Sequence, residues 1–533
     1  MEQSTVLPDT DKAVDFDLVI IGYGMVGAVA ALLAAQYKLK IALIEIRKTD
    51  DLYVPKAGRI DADVMRIFEQ LGFDRKDNNF QALKGARIMN SKGKQLLEFE
   101  YPELDGFAPM YSIYQPDLQL KLHTKIQAQK DNFSIFERHR AEAIELQKDR
   151  VKIIANDLEK DLFFEINTRF LIACNGQESL VPAQCDFNYR FLDYTNYSLN
   201  IETKSNEALS SDKFAITYVD GNYPLTAIYD SDYHQRWEFR LDPDTMAAPD
   251  IYDRIRKALE NKIPCEFEIL NSYLYKYETR ILEKWQRKRI FITGDAAHVF
   301  PPYLGLGLSA GIKDVYNLIW KIALVADKKV KGQILETYQP EREEQINFLL
   351  KVNQAVQKIA PAASKGFFDR FFAAVSMGFF QKKIKLQSKY TKGFIGTKHK
   401  LAGTIFPHFN YHNNMARPES ETTVLSTAFV LLAFDADPVD AVSAQNIEYL
   451  ANMSVRFLRI NSKQEGYNKR FASCFTDADG RFAAWCKKQR IKYLILRPDR
   501  LVFDAFKTEK ELNKAVASMS GIIEQRKMGK GAL

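Results

Sequence analysis

The spacing of apolar positions changes several times along the chain, and each change marks an element. Asp15–Ile21 (DFDLVII) is a mostly apolar run of strand length, the pattern of a strand buried on both faces of a parallel sheet. Ala28–Lys38 follows with helical apolar spacing and neither Gly nor Pro, and Ile41–Ile46 (IALIEI) reads as a second strand. Between roughly Phe187 and Tyr277 the pattern alternates and is rich in aromatics, with turn residues at Asp220-Gly221 and Asp242-Pro243, which predicts antiparallel strands. Arg289–Thr293 is a short strand, and Val315, Leu318, Ile319 and Ile322 share one face of a following helix. Residues 338–400 are helical in pattern and Lys-rich, with an apolar stripe over Phe367–Phe380 that is expected to pack between domains rather than on a membrane surface. The loop from Pro407 reads as a linker. From Thr422 onward come strand, strand, Asp-Gly turn, helix, strand, Arg-Pro-Asp-Arg turn and strand.

Composition sets the class. The 533 residues are 46% hydrophobic and 27% charged, which predicts a large buried core in several domains. A net charge of +7 spread over that length is too dilute to suggest nucleic-acid binding. The five cysteines (Cys174, Cys185, Cys265, Cys474, Cys486) form no C-x-x-C pair, which argues against a disulfide framework or a metal cluster and for a reducing compartment. No apolar run is long enough to span a bilayer, and the acidic first 16 residues lack a signal-peptide core. A soluble cytoplasmic protein is expected.

The candidate chemistry begins at the end of the first strand. Gly22-Tyr23-Gly24-Met25-Val26-Gly27 joins strand to helix: Gly22 permits the tight turn, Gly24 lets backbone approach a pyrophosphate, and Gly27 lets the helix pack closely on the strand. The helix N-terminus then offers unpaired N–H groups to the phosphates. Glu45, followed by Ile46 and Arg47, ends the second strand where an acidic ribose ligand belongs. An adenine dinucleotide is expected here, and the turn alone does not separate NAD(P) from FAD.

The separation comes from residues 289–325. A strand runs directly into Gly294-Asp295, and after Pro301-Pro302 comes Gly305-Leu306-Gly307-Leu308-Ser309-Ala310-Gly311 at a helix start. A carboxylate at a strand end suits a sugar-like hydroxyl, and a Gly-rich helix start suits a flat, electron-accepting ring. With Gly58-Arg59-Ile60, the YQPDLQLKL stretch containing Gln115, and Asn175-Gly176 in LIACNGQES, these segments follow one known order. The chain resembles the class A FAD-dependent aromatic monooxygenases of the p-hydroxybenzoate hydroxylase fold. Within them, His234–Phe239 (HQRWEF) and the long C-terminal extension look most like 3-(3-hydroxyphenyl)propionate hydroxylases and related phenol hydroxylases.

The resemblance implies an α/β fold: a discontinuous FAD-binding Rossmann-like domain (1–186 and 278–355), an inserted antiparallel substrate sheet (187–277), a helical segment and linker (356–415), and a thioredoxin-like C-terminal domain (416–533) without redox cysteines. It implies that Gly22, Gly24, Met25, Val26 and Gly27 wrap the pyrophosphate, and that Glu45, with Ile46 and Arg47, holds the adenosine ribose. Ala143 reaches the adenine by its backbone, while Arg59 and Gln115 contact the flavin half. Asn175 and Gly176 stand in the motif linked with FAD and NAD(P)H handling. Gly294 and Asp295 take the ribityl chain, and Pro302, Gly305, Leu306, Gly307, Leu308 and Ser309 meet the flavin's pyrimidine edge.

Three features depart from the family pattern: Asn175 replaces the usual Asp, Glu178 and Pro182 stand where basic residues are common, and Leu306 and Ser309 replace Gln and Asn. The change in the Asn175 motif is compatible with FAD binding and puts ordinary NADPH-driven turnover in question, while Leu306 and Ser309 bear on the shape of the flavin or substrate edge. The implied reaction is hydroxylation of a small phenolic substrate by a flavin C4a-hydroperoxide, with NADH or NADPH as donor and O2 as oxidant. His234, Tyr229 and Tyr275 are candidate bases, and Arg236 and Arg59 are candidate carboxylate anchors; the sheet is expected to form one wall of an apolar site, with Trp237, Phe239, Tyr229 and Tyr275 as candidates to line it, each read first as a core residue. No metal is implied: His408 and His412 stand in a loop without a nearby third ligand. A structural or dimer-stabilising role is expected for the C-terminal domain, with a homodimer as the candidate assembly. Two other readings stay open: another flavin oxidase, reductase or oxygenase, and a flavin-binding scaffold without turnover.

Overall fold

The computed structural model describes residues 14–519 apart from 78, 102–105, 210–212, 220–223, 230–232, 300, 302–304, 363–388, 410, 414–424, 426 and 463–472. The Phe367–Phe380 stripe and Pro302 therefore lie outside the described residues. No described helix is long and apolar enough to cross a membrane.

The apolar runs at the start of the chain build a parallel sheet. Phe16–Ile21 is central, with Ile41–Glu45 and then Phe133–Glu137 on one side, and Leu162–Ala173 and then Ile290–Ile292 on the other. The alanine-rich helix Met25–Ala35 is almost wholly buried, as a crossover helix between such strands must be. It packs on the helix Gly307–Ala326, and a glycine makes that approach feasible: a Cβ on Gly311 would stand 2.9 Å from Val26 Cγ2 and 3.0 Å from Gly294 Cα. Two segments about 270 residues apart in sequence thereby meet at one end of the sheet.

The second sheet has eight strands in the order His298–Val299, Phe267–Leu282, Tyr189–Ser205, His234–Leu241, Leu225–Tyr229, Phe214–Tyr218, Gly85–Met89 and Gln95–Glu100. It therefore recruits strands from outside 187–277. The period of two fixes its faces. Trp237, Phe239 and Leu241 join Ile251, Ile255 and Leu259 of a covering helix in a separate core. His234, Arg236 and Glu238 take the opposite face, where Arg236 donates to the carbonyls of Pro55 and Lys56 in the cofactor domain.

The third sheet, in the order Tyr411–Asn413, Ser473–Asp477, Arg456–Asn461, Val430–Phe434, Tyr493–Leu496 and Val502–Phe506, is mixed. Val430–Phe434 pairs parallel with Arg456–Asn461 and antiparallel with Tyr493–Leu496, as expected of a thioredoxin-like sheet. All five cysteines are free. The segment after Pro407 differs from the linker expected: Phe406 and Phe409 are buried with Phe482 in this domain's core, and Tyr411–Asn413 forms its edge strand. Aromatic side chains at 406, 409 and 411 give that stretch an apolar surface to bury, which a free linker lacks.

Candidate cofactor and substrate site

The glycine turn is held from several sides. Gly22 has φ +105°, and a Cβ there would stand 2.7 Å from the Asn175 Cα, so only glycine lets these two strand ends approach. Gly24 is the extended N-cap of the helix Met25–Ala35, and no side chain caps that helix. A Cβ on Gly24 would meet no protein atom within 4 Å. The turn thus faces open space with helix N–H groups that no side chain takes. Met25 is buried in the first turn, and Val26 packs between Gly294 and Gly311. The buried Glu45 carboxylate accepts from the backbone N–H of Tyr23 (2.8 Å) and of Arg47 (3.1 Å), tying the second strand to the turn. Ile46 is exposed. Ala143 lies exposed on the strand His139–Leu146, paired with Ile154. Gly176 has φ +85°, and a Cβ there would meet no protein atom within 4 Å.

The second segment closes the other end. Gly294, at φ +58°, donates its N–H to Asp314 (3.0 Å), which also accepts from His298 Nε2 (2.7 Å) and Arg342 Nε (2.8 Å). All three partners are buried, so the strand-end turn is anchored to the helix Gly307–Ala326. Asp295 beside it accepts from the Tyr275 hydroxyl (3.3 Å), and burial raises its carboxyl above the usual range. Gly305 (φ +63°) and Leu306 lead into that helix, Gly307 and Leu308 open it, and Ser309 Oγ accepts from the Asp61 N–H (3.1 Å). Gln115 Oε1 accepts from the Ala57 N–H (2.7 Å), holding the loop before Arg59. Arg59 is 6% exposed and pairs with Glu238 (3.1 Å), yet its Nε has no partner and lies 2.8 Å from where a Gly305 Cβ would stand. Open space at Gly24, an uncapped helix and an orphaned buried donor at the second helix start all fit a dinucleotide whose far half is a flavin.

The sheet face over this site differs from the apolar wall expected. Tyr229 pairs with Gln235 and packs in the core with Trp237 and Phe239, on the face turned away from the cofactor segments. Burial pushes its hydroxyl up to about 12, a poor base. The near face instead carries a chain of charges: His234 Nε2 lies 3.3 Å from Glu202, Glu202 2.8 Å from Arg236, and Arg236 2.9 Å from Glu238, which pairs with Arg59. Arg236 also donates to two backbone carbonyls, so this candidate anchor holds the 55–58 loop rather than offering its fork to a substrate. Tyr275 is on the near face, but burial first and Asp295 second hold its hydroxyl well above the ordinary value. It acts as a donor to Asp295, not as a base. Of the three candidate bases, His234 and Tyr275 are on the near face; the His234 ring meets Tyr114 edge-on at 4.7 Å. Tyr229→Phe is accordingly expected to leave kcat/KM within about twofold of the parent in steady-state assays, as for a substitution away from the reacting groups.

Sequence reading missed Glu202, Glu238, Asp314 and Lys56, whose ammonium stands 5.4 Å over the Tyr273 ring. Charges at 236, 238 and 240, alternating with Trp237, Phe239 and Leu241, were the available signal for the polar face. Among the described residues, no group of three His, Cys, Asp or Glu could hold a metal ion.

The FAD binding domain family model matches residues 15–351, and the HcaD C-terminal domain model matches 403–521. Curated relatives include the 3-(3-hydroxy-phenyl)propionate/3-hydroxycinnamic acid hydroxylases of Escherichia coli O157:H7 (23% identical, 93% of each chain covered) and of strain K12 (22%, 93% of each). Similar solved structures include the flavin-dependent monooxygenase PieE in complex with FAD and substrate, with a TM-score of 0.79 and 17% identity over 96% of this chain and 99% of that one. Another is aklavinone-11 hydroxylase with FAD and aklavinone, with a TM-score of 0.74 and 17% identity over 95% and 99%. These likenesses carry the fold.

Proposed function

The chain belongs to the FAD binding domain family, with FAD as its cofactor, and we propose that it is an NADH- or NADPH-dependent monooxygenase that hydroxylates a small phenolic acid resembling 3-(3-hydroxyphenyl)propionate. The observation that carries this reading is the convergence of the Gly22–Gly27 turn, Asp295 and the Gly305–Gly307 helix start beneath one polar sheet face. The substrate class rests on the full-length similarity to the hydroxylases of Escherichia coli.

FAD, when bound, would accept two electrons from NADH or NADPH and pass them to O2. The chain's own residues do the rest. The N-terminus of Met25–Ala35 would hold the pyrophosphate, Glu45 the adenosine ribose, and Asp295, steadied by Tyr275, the ribityl hydroxyls. The N-terminus of Gly307–Ala326 would favour negative charge on a ring bound against it. The substrate sheet is held to the cofactor domain where Arg236 donates to the Pro55 and Lys56 carbonyls. His234 takes the phenolic proton, which makes the ring a better nucleophile, and Glu202 stabilises the imidazolium so formed.

An absorbance spectrum followed by NADH or NADPH titration without air tests the reading. Bands near ~375 and ~450 nm are expected of bound oxidised FAD, with bleaching that speeds up when 3-(3-hydroxyphenyl)propionate is added. A yellow protein that neither nucleotide reduces would overturn the donor assignment and favour another flavin enzyme or a scaffold. A colourless protein that cannot be reconstituted with FAD would overturn the whole reading.

A further inference from the structure

The residue between the first two glycines of the turn has both of its peptide groups fixed. The Tyr23 N–H is taken by Glu45 (2.8 Å), and the Tyr23 carbonyl lies 2.9 Å from His123 Nε2. His123 sits two turns into the helix Gln115–Gln127, which packs on Met25–Ala35, and it is 1% exposed. Its ring stacks on that of Tyr23 at 4.0 Å with 21° between planes, and its Nδ1 lies 3.2 Å from the Tyr53 hydroxyl.

For a neutral ring, only one arrangement of protons satisfies these contacts. A carbonyl oxygen only accepts, so Nε2 carries the hydrogen. In a neutral ring Nδ1 is then the acceptor, and the Tyr53 hydroxyl is the donor it needs. Burial pulls the imidazole pKa down to about 4, which keeps the ring neutral at pH 7.

The consequence lies across the peptide bond. In a trans peptide the Tyr23 C=O and the Gly24 N–H point in opposite directions within one plane. Drawing the carbonyl toward His123 turns the Gly24 N–H the other way. A Cβ on Gly24 would meet no protein atom within 4 Å, so there is open space beside this residue. Gln115, on the first turn of the same helix, fixes Ala57 in the loop that leads to Arg59. One helix therefore steadies both the glycine turn and the loop at the flavin end.

We propose that His123 is a positioning residue for cofactor binding: by holding the Tyr23 carbonyl as the Nε2–H tautomer, it aims the Gly24 N–H at the FAD pyrophosphate. The proposal rests on the FAD reading above. It is tested on the full chain, stripped of flavin and reconstituted, by following the quenching of FAD fluorescence. His123→Leu keeps the bulk and removes the donor, and FAD is expected to bind about 10- to 100-fold more weakly, the range for losing an oriented hydrogen bond to a charged group. His123→Gln, whose amide offers an N–H in nearly the same place, is expected to stay within about threefold of the parent. An unchanged dissociation constant in His123→Leu overturns the proposal. If that variant does not fold, Tyr53→Phe replaces it: loss of the donor to Nδ1 is expected to weaken FAD binding about threefold, and unchanged affinity overturns the proposal. Nitrogen-15 spectra of the flavin-free protein give a second readout, in which an Nδ1–H signature for His123 also overturns it. A parent chain that binds no FAD would instead fail at the family reading.

Discussion

Arg497→Ala is expected to destabilise the folded chain by about 3–5 kcal/mol, the cost of stranding a buried carboxylate. Arg497 is fully buried between the C-terminal sheet and the cofactor domain. It meets Glu341 through both terminal nitrogens (2.7 and 2.9 Å), Asp499 through Nε and a terminal nitrogen (3.0 and 2.6 Å), and the Phe394 carbonyl at 2.8 Å. Glu341 is on the helix Tyr338–Ala362 and also binds Lys321 of Gly307–Ala326 at 2.9 Å. Removing the guanidinium leaves two carboxylates facing one ammonium that burial has already pulled down to about 8. Burial alone would raise the Glu341 carboxyl, but Arg497 and then Lys321 outweigh it and hold it far below the usual range. The sign of the pH dependence follows. A carboxyl depressed in the folded state adds stability that is present above its unfolded value of about 4.3 and is lost as pH falls through the lower folded value. The deficit of Arg497→Ala should therefore be full at neutral pH and shrink below about pH 4. Urea unfolding at pH 7 and at acid pH, followed by intrinsic fluorescence, checks both statements. A midpoint equal to the parent's at pH 7 would mean that the cluster does not join the domains.

That cluster also marks the limit of what the chain discloses as a string. The parallel strands, the glycine turn and the Gly294-Asp295 segment were legible because each is a local pattern: an apolar run, a glycine where a Cβ has no room, a carboxylate at a strand end. The faces of the substrate sheet were not. HQRWEFR alternates cleanly, but alternation says only that 236 and 238 oppose 237 and 239, not which set faces the cofactor. An apolar wall was expected over the flavin, with the aromatics as candidates to line it although a core role was favoured for each. In the structure Trp237, Phe239 and Tyr229 are needed to bury the helix Ile251–Glu260, and the charged set turns inward because partners await it at Pro55, Lys56, Glu202 and Arg59. Asp314, Glu341 and Arg497 were silent for a similar reason: their partners lie up to 156 residues away in sequence, and no spacing rule reaches that far.

The cofactor turn allows protein stability and ligand binding to be separated by two methyl groups, each placed on a glycine. Gly24 has φ −69°, which alanine adopts without strain, and the added Cβ meets no protein atom. The flavin-free Gly24→Ala chain should be as stable as the parent, or more stable by about 0.4–1 kcal/mol because its unfolded state is less free. The space that receives the methyl is the space assigned to the pyrophosphate, so FAD affinity should fall by about 100-fold or more, the combined loss of close backbone approach and of charge-assisted hydrogen bonds. At Gly27 a Cβ would overlap the Gly22 carbonyl, a backbone atom that can move only if the helix leaves the strand. Gly27→Ala should therefore lose stability and FAD binding together, with a cost of about 1–3 kcal/mol typical of overpacking. Thermal unfolding of the flavin-free proteins beside FAD titration distinguishes the two. Opposite movements of stability and affinity in Gly24→Ala place the phosphates at this turn, because nothing in the protein itself is touched by the change. Parental affinity in Gly24→Ala would mean that the phosphates bind elsewhere, and the roles given to Glu45 and His123 would fall with it.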